Sequence, residues 1–590
     1  MHKTLLTRRT ALGLAGLGAA ALVAGCSSDA ADDTSTDDST TEEEDASDES
    51  EATDSTDDAS ATGVTVEGVD VETTYGPVQG VVEDDVLCWY GIPYGKEPSG
   101  DLRWQAPEAP DTWTSTLDCT AAAEVALQLS SGEVIGSEDA LRLDVVSAEG
   151  ATGRPVLVYI HGGNNQTGQS SEIPGNDLVA NTGCVYVSLN YRLGLLGFNC
   201  LPAIRAQVDT GNFAMQDIAF ALDWVQDNIA NFGGDPSNVT ISGFSAGGRD
   251  VMAILASPYF AGKFHKAISY SGGMTTCNES VAAQRIAEEM ASLVVEDGLA
   301  DDEDAAVEWL LGTDSEVLDW LYSVDSSRLV PLCANANIRM AVFPHLYEDG
   351  VVVPECGFNG AEYNSVPLIM LTGSTEFSFF ELYDSYWSTD EALALDEDEL
   401  ANAITFGNTY GSDMYRIFNA QESADAMMGL YDSNIYVCQV DYGSASSPMS
   451  SALGSFGAFH GIFVPMISTV NSYSSMLPGV FEADGYVDMA SQYNAYLKNF
   501  LETGDPNGDD LVEWEPWARD NRVSLVLDAD ETSATVELAD VSKAYEDIIG
   551  EMRADDTIAE STKTLVATNV MNGRWFSAAV DEYYGGNWVS

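Results

Sequence analysis

The 590-residue chain carries 95 acidic side chains against 23 basic ones, a formal net charge of −72 at neutral pH. A field of that sign repels phosphate backbones and anionic lipid headgroups, which excludes nucleic acid as a partner and disfavours polyanionic substrates. With 45% hydrophobic residues the chain can still build a large core.

The first 26 residues combine Thr7-Arg8-Arg9, an apolar run from Ala11 to Val23, and Leu22-Val23-Ala24-Gly25-Cys26. The run is shorter than the ~20 residues of a membrane-spanning helix and ends in small residues, so it is predicted to be an export signal of twin-arginine character. Its lipobox-like end makes Cys26 the expected lipid attachment point and the only expected contact with a membrane. The next tract, residues 27–62, is built almost entirely from Ser, Thr, Asp, Glu and Ala and contains no aromatic residue, Lys or Arg. Such a composition cannot bury a core and is predicted to be a disordered tether, at most ~120 Å long when stretched. It holds 15 of the 95 acids, and three of the 23 bases precede it, so the remainder is still near −60.

Residues 63–590 show no Pro- or Ser-rich break and are expected to form one large domain. Strand-like runs fall at Val156 to Ile160, Val185 to Leu189, Val239 to Ile241, Leu368 to Leu371 and Ile435 to Val440. Alternating with helical stretches, they predict an α/β fold with a mostly parallel sheet. Beyond about residue 525 only helical periodicity is legible, over Val541 to Met552 and Thr557 to Ala567.

Gly243-Phe244-Ser245-Ala246-Gly247 is the most informative stretch, a G-x-S-x-G between the strand-like Val239-Thr240-Ile241 and the helix-like Val251 to Leu255. That context marks Ser245 as a candidate nucleophile on a sharp turn, with small residues where the chain passes close to itself. The chain also holds, in order, Tyr90-Gly91-Ile92-Pro93-Tyr94, Leu102-Arg103-Trp104, Ser137-Glu138-Asp139, His161-Gly162-Gly163 and Asn190-Tyr191-Arg192-Leu193-Gly194. Ahead of the elbow stand Asn212-Phe213-Ala214-Met215-Gln216-Asp217 and Phe232-Gly233-Gly234-Asp235-Pro236. After it come Gly373-Ser374-Thr375-Glu376, Phe459-His460-Gly461 and Thr503-Gly504-Asp505-Pro506-Asn507. In these motifs and their order, roughly residues 70 to 525 resemble the type-B carboxylesterase and cholinesterase family of α/β-hydrolases.

The resemblance implies a long mixed sheet and serine esterase chemistry on small-molecule substrates, neutral carboxylic esters. A serine hydroxyl needs a base, and the resemblance selects His460 from the candidates His161, His265, His345 and His460. Of the others, His161 precedes the glycines of the expected oxyanion loop, His265 lies beside lysines and reads as solvent-facing, and His345 sits in a turn-like stretch. Glu376, at the expected carboxyl end of a strand, is the implied carboxylate partner of the imidazole. Backbone N–H donors for the developing oxyanion are implied at Gly163, Asn164 and Ala246.

Several positions depart from the family's pattern. Asn164 replaces a glycine, and asparagine tolerates a positive φ and carries an amide that could add a donor. Phe244 stands where relatives carry Glu. The loop between Trp113 and Ser137 contains no Trp, Tyr or Phe to grip a quaternary ammonium, which makes choline esters poor substrates. Ala140 removes a cysteine that many relatives pair. Eight cysteines besides Cys26 permit disulfides without showing them, and free burial is the plain reading for Cys184 and Cys438. No CxxC or HExxH spacing is present, and neither metal nor cofactor is expected. Two competing functions use the same fold: a non-catalytic surface binding module, and an acyltransferase passing the acyl group to an alcohol.

Overall fold

The computed structural model describes residues 64–585, so the predicted signal, the tether and Cys26 lie outside the described residues. The framework is an eleven-stranded sheet. In chain order its strands are β1 (Val81–Glu83), β2 (Val86–Pro93), β3 (Arg142–Ser147), β4 (Arg154–Ile160), β5 (Val185–Leu189), β6 (Gly234–Phe244), β7 (Lys266–Tyr270), β8 (Leu368–Gly373), β9 (Ile435–Val440), β10 (Ser524–Ala529) and β11 (Ala534–Ala539). Across the sheet they run β11-β10-β9-β8-β7-β6-β4-β5-β3-β2-β1. The strands from β5 to β10 in that row pair in parallel, and both flanks are antiparallel.

The central strands are aliphatic and β-branched because both faces of a parallel sheet are covered. In β4, Val156, Val158 and Ile160 enter one core while Leu157 and Tyr159 enter the other, the period of two that a strand imposes. On the first face pack α1 (Phe213–Asn228), α2 (Ala246–Ala256) and α3 (Glu279–Glu296), with α4 (Phe377–Leu382) and α5 (Glu397–Arg416) further along. The opposite face is covered by α6 (Asp484–Thr503). α5 starts where it does because the Asp396 carboxylate accepts from Glu399 N–H at 2.9 Å and acids fill its first turn, where the helix dipole favours them.

All five predicted strand runs lie within observed strands, β6 being extended towards both ends. The outermost strands β1 and β11 escaped prediction because they are short and partly exposed, and the buried flank strands β2 and β3 were not read as strands either. The predicted carboxyl-terminal helices become α7 (Tyr545–Ala554), starting four residues later than the periodicity suggests, and α8 (Glu560–Leu565). α8 continues as a π-helical turn through Val566–Met571, and α9 (Ala578–Tyr584) follows. Between α8 and α9, Arg574 donates to Asn337 O at 2.5 Å and Trp575 N–H to Ile338 O at 3.0 Å, pinning this extension to the loop at residues 335–339. The eight cysteines of the described residues are unpaired. Cys438 is buried in β9 and Cys184 directly precedes β5, where burial pushes its thiol up to about 11.

Candidate active site

β6 delivers Ser245 at its carboxyl end, where the backbone turns through φ 57°, ψ −116° before α2 opens at Ala246. A non-glycine residue pays of order 1–3 kcal/mol in such a conformation and holds it only where the surroundings enforce it. Here the enforcement is close packing. A Cβ on Gly243 would lie 2.3 Å from Gly247 O, and one on Gly247 would lie 2.1 Å from Ile160 O. Ser245 N–H donates to Tyr270 O at 2.9 Å, which ties the turn to β7.

Glu376 follows β8 and is completely buried, and it meets His460 from the loop beyond β9. His460 Nδ1 lies 2.7 Å from Glu376 Oε2, the geometry of an Nδ1–H donating to a carboxylate. The remaining valences of that carboxylate are filled: Ser271 Oγ donates to Oε1 at 2.6 Å, Thr372 Oγ1 at 3.0 Å and Gly373 N–H at 2.5 Å. Asn419 Nδ2 donates to Oε2 at 3.1 Å. A buried anion held by five donors is fixed in position and stays an acceptor. With Nδ1 engaged as donor, Nε2 is the basic nitrogen, and it is buried with no hydrogen bond.

Three aromatic rings enclose His460. Phe244 lies 4.6 Å from the imidazole, Phe380 4.8 Å and Tyr415 5.7 Å, centroid to centroid. Phe244, directly before the nucleophile, therefore puts a ring against the imidazole.

Gly163, Asn164, Ser245 and His460 line one cavity of about 1080 Å³. Its walls are largely apolar, with Leu193 to Leu196 and Leu329 on one side and Phe379, Phe380 and Tyr383 on another. Residues of a hairpin at 128–135 also line it. The oxyanion loop is left-handed at Gly163 (φ 96°), Asn164 (58°) and Asn165 (55°), so the expected positive φ at Asn164 is present. Gly163 itself has no room for a side chain, since a Cβ would stand 2.2 Å from Thr167 O. Among the described residues, the N–H groups of Gly163, Asn164 and Ala246 make no hydrogen bond within the chain. One N–H of the Asn164 amide is engaged: its Nδ2 donates to Gln166 Oε1 at 2.8 Å.

The other histidines are tied into the scaffold. His161 is buried and stacked on Tyr191 at 4.4 Å, and burial pulls its pKa down to about 4. His345 is buried with Nε2 2.7 Å from Arg249. His265 corrects the expectation of a solvent-facing ring: it is half-buried, and its Nδ1 accepts from Val239 N–H at 3.1 Å, because β7 begins beside it. Sequence reading missed Ser271, Asn419, Phe380 and Tyr415. Ser271-Gly272-Gly273 after a strand offered a faint signal. Asn419 offered none, since it reaches Glu376 from a π-helical turn, Ile417–Glu422, that no periodicity announces. Among the described residues no group of His, Cys, Asp and Glu is arranged to hold a metal ion.

The carboxylesterase family model matches residues 67–409 of this chain. The chain belongs to the carboxylesterase family. It is similar to the para-nitrobenzyl esterase of Bacillus subtilis, 29% identical over 78% of this chain and 95% of that protein. Among solved structures, a thermophilic para-nitrobenzyl esterase is 28% identical, with a TM-score of 0.64 over 81% of this chain and 99% of its own. The carboxylesterase Est55 of Geobacillus stearothermophilus is 26% identical, with a TM-score of 0.62 over 82% and 99%. The fold is thus that of an α/β-hydrolase, and the chain is a carboxylic ester hydrolase of the serine type.

Proposed function

We propose that this carboxylesterase hydrolyses neutral carboxylic esters through an acyl-enzyme on Ser245. The observation that carries the reading is the fully saturated Glu376 carboxylate bound to His460 Nδ1 at 2.7 Å, which leaves Nε2 free as the base in the cavity that Ser245 lines. His460 takes the Ser245 proton as Oγ attacks the ester carbonyl, and Glu376 stabilises the imidazolium and fixes its tautomer. The rings of Phe244, Phe380 and Tyr415, 4.6–5.7 Å from the imidazole, lie close enough for their π systems to favour that cation. Negative charge on the carbonyl oxygen is received by the N–H groups of Gly163, Asn164 and Ala246, each worth about 3–4 kcal/mol in comparable sites. His460 returns its proton to the leaving alcohol, and a water activated at Nε2 then releases the acid and restores Ser245.

A large apolar cavity favours esters with bulky uncharged groups. The chain's surplus of acids disfavours anionic ones. Cys26, at the end of the signal-like segment, is proposed to carry a lipid that anchors the enzyme outside the cytoplasmic membrane, with residues 27–62 as its tether. The test is turnover of p-nitrophenyl esters of rising acyl length by wild type and by Ser245→Ala. Wild-type turnover lowered about 10⁴- to 10⁶-fold in the variant is expected. Equal rates in two folded proteins would refute the reading.

A further inference from the structure

The oxyanion loop and the nucleophile helix are joined by a buried polar chain that the triad does not use. Asn165 is fully buried, and its Nδ2 donates at 2.9 Å to Oδ1 of Asp250 on α2. Tyr191 OH donates to Asn165 Oδ1 at 3.0 Å and is also 2.9 Å from His161 O, while Gly194 N–H donates to Asn165 O at 2.7 Å. Asp250 is itself fully buried, and its Oδ2 has no hydrogen-bond partner. The neighbouring Arg249 does not satisfy it. Its guanidinium is 2.7 Å from His345 Nε2, donates to Thr275 O at 3.0 Å and lies 4.0 Å over the Trp575 ring.

A half-satisfied buried carboxylate is costly, and burial pushes this one up to about 7. Its location suggests what offsets the cost. Asp250 stands four residues after Ala246, on the same face of α2. Asn165 directly follows Gly163 and Asn164. The Asp250–Asn165 bond therefore connects the element bearing one proposed oxyanion donor to the loop bearing the other two. Resting on the serine-esterase reading above, we propose that Asp250 is a positioning residue for ester hydrolysis. Through Asn165 it holds the oxyanion loop at a fixed distance from the nucleophile helix, so that the three N–H groups converge on one point.

The test compares Asp250→Ala, Asn165→Ala and Asp250→Asn in the full chain. Each alanine variant should lose about 10- to 100-fold in kcat with KM within about threefold of wild type, because donors out of place weaken transition-state binding more than substrate binding. Affinity for an arylboronic acid, whose tetrahedral adduct on Ser245 fills the oxyanion position, should fall by a similar factor. Asp250→Asn keeps an oxygen that accepts from Asn165 and should recover most of kcat, which a merely structural loss would not predict. If the alanine variants do not fold, the double variant Asn165→Asp with Asp250→Asn reverses donor and acceptor and should retain kcat within about tenfold. Alanine variants with wild-type kcat, a loss that Asp250→Asn does not relieve, or a folded but inert double variant would each overturn the proposal. Wild type no faster than Ser245→Ala would bring down the esterase reading as well, which separates the two failures.

Discussion

Ser245 is held by backbone geometry spanning five residues, Gly243 to Gly247, whereas His460 is held by side chains drawn from segments as far apart as Phe244, Ser271, Glu376 and Asn419. At the elbow, contacts of 2.1–2.3 Å from any added Cβ leave glycine as the residue that fits, and the constraint is written contiguously. Around the histidine, no single contact is sterically obligatory. The position is set by satisfying one carboxylate with five donors and enclosing one ring in aromatic surface. The first arrangement fails abruptly on substitution, and the second should degrade in steps.

The sharpest way to break that comparison is Glu376→Gln, which keeps the size of the side chain but presents an amide to His460. In serine proteases the matching change costs about 10⁴ in kcat through the wrong tautomer. A loss of about 10³–10⁴ is expected here, read from kcat for a p-nitrophenyl ester. A loss under tenfold would mean that the aromatic enclosure alone positions the imidazole. Gly163→Ala tests the backbone-built side at a second point. Its Cβ would meet Thr167 O at 2.2 Å, and alanine is strained at a φ of 96°, so the loop must move and kcat should fall about 10²- to 10³-fold. Asn419→Ala comes next, with one of five donors removed from Glu376. A fall in kcat of about 3- to 10-fold and a stability loss of about 1.5–3 kcal/mol by urea titration are expected, the size of a hydrogen bond to a buried charge.

The same contrast explains what could be read from the sequence. Five of the seven strands in the parallel run were legible because each carries a short stretch rich in Val, Ile and Leu, whereas β7 and β10 were not read; the elbow was legible because its glycines sit at fixed spacing around Ser245. The pairing of Glu376 with His460 could be named only through resemblance, since 84 residues separate them and nothing local links them. Asn419, Tyr415 and the Asp250–Asn165 bond were invisible for a physical reason: each is a long-range side-chain contact, and the residue types involved are common at surfaces. The antiparallel flank at Ala534–Ala539 was missed because its exposed, alternating pattern is weak over six residues. The docking of Arg574 and Trp575 on the 335–339 loop likewise follows from tertiary packing and from no motif.

The smallest effect separates scaffold from chemistry at the base of the oxyanion loop. His161 is buried against Tyr191 with Nδ1 2.9 Å from Gly162 O and a buried Nε2 that has no partner, and burial holds its pKa at about 4. In the unfolded chain the same imidazole titrates near 6.5. Between those values the unfolded state takes up a proton that the folded state refuses, so this group's contribution to stability is full above pH 6.5 and is lost as pH falls towards 4. The loss amounts to up to about 3 kcal/mol at one pKa unit per 1.36 kcal/mol. Asp144 opposes it, because burial lifts its carboxyl to about 6 and the folded state binds that proton more readily, so its contribution rises as pH falls from 6 towards 4. Asp250, lifted to about 7, opposes the loss as well. The contributions must be separated by substitution, and the test is signed. The urea midpoint at pH 5 relative to that at pH 7 should be higher in His161→Gln than in wild type, and an unchanged difference would mean that His161 takes up its proton alike in the folded and unfolded chain. Because the ring touches the loop only through its backbone, kcat at pH 7 should change by less than about tenfold, a smaller loss than Gly163→Ala two residues away.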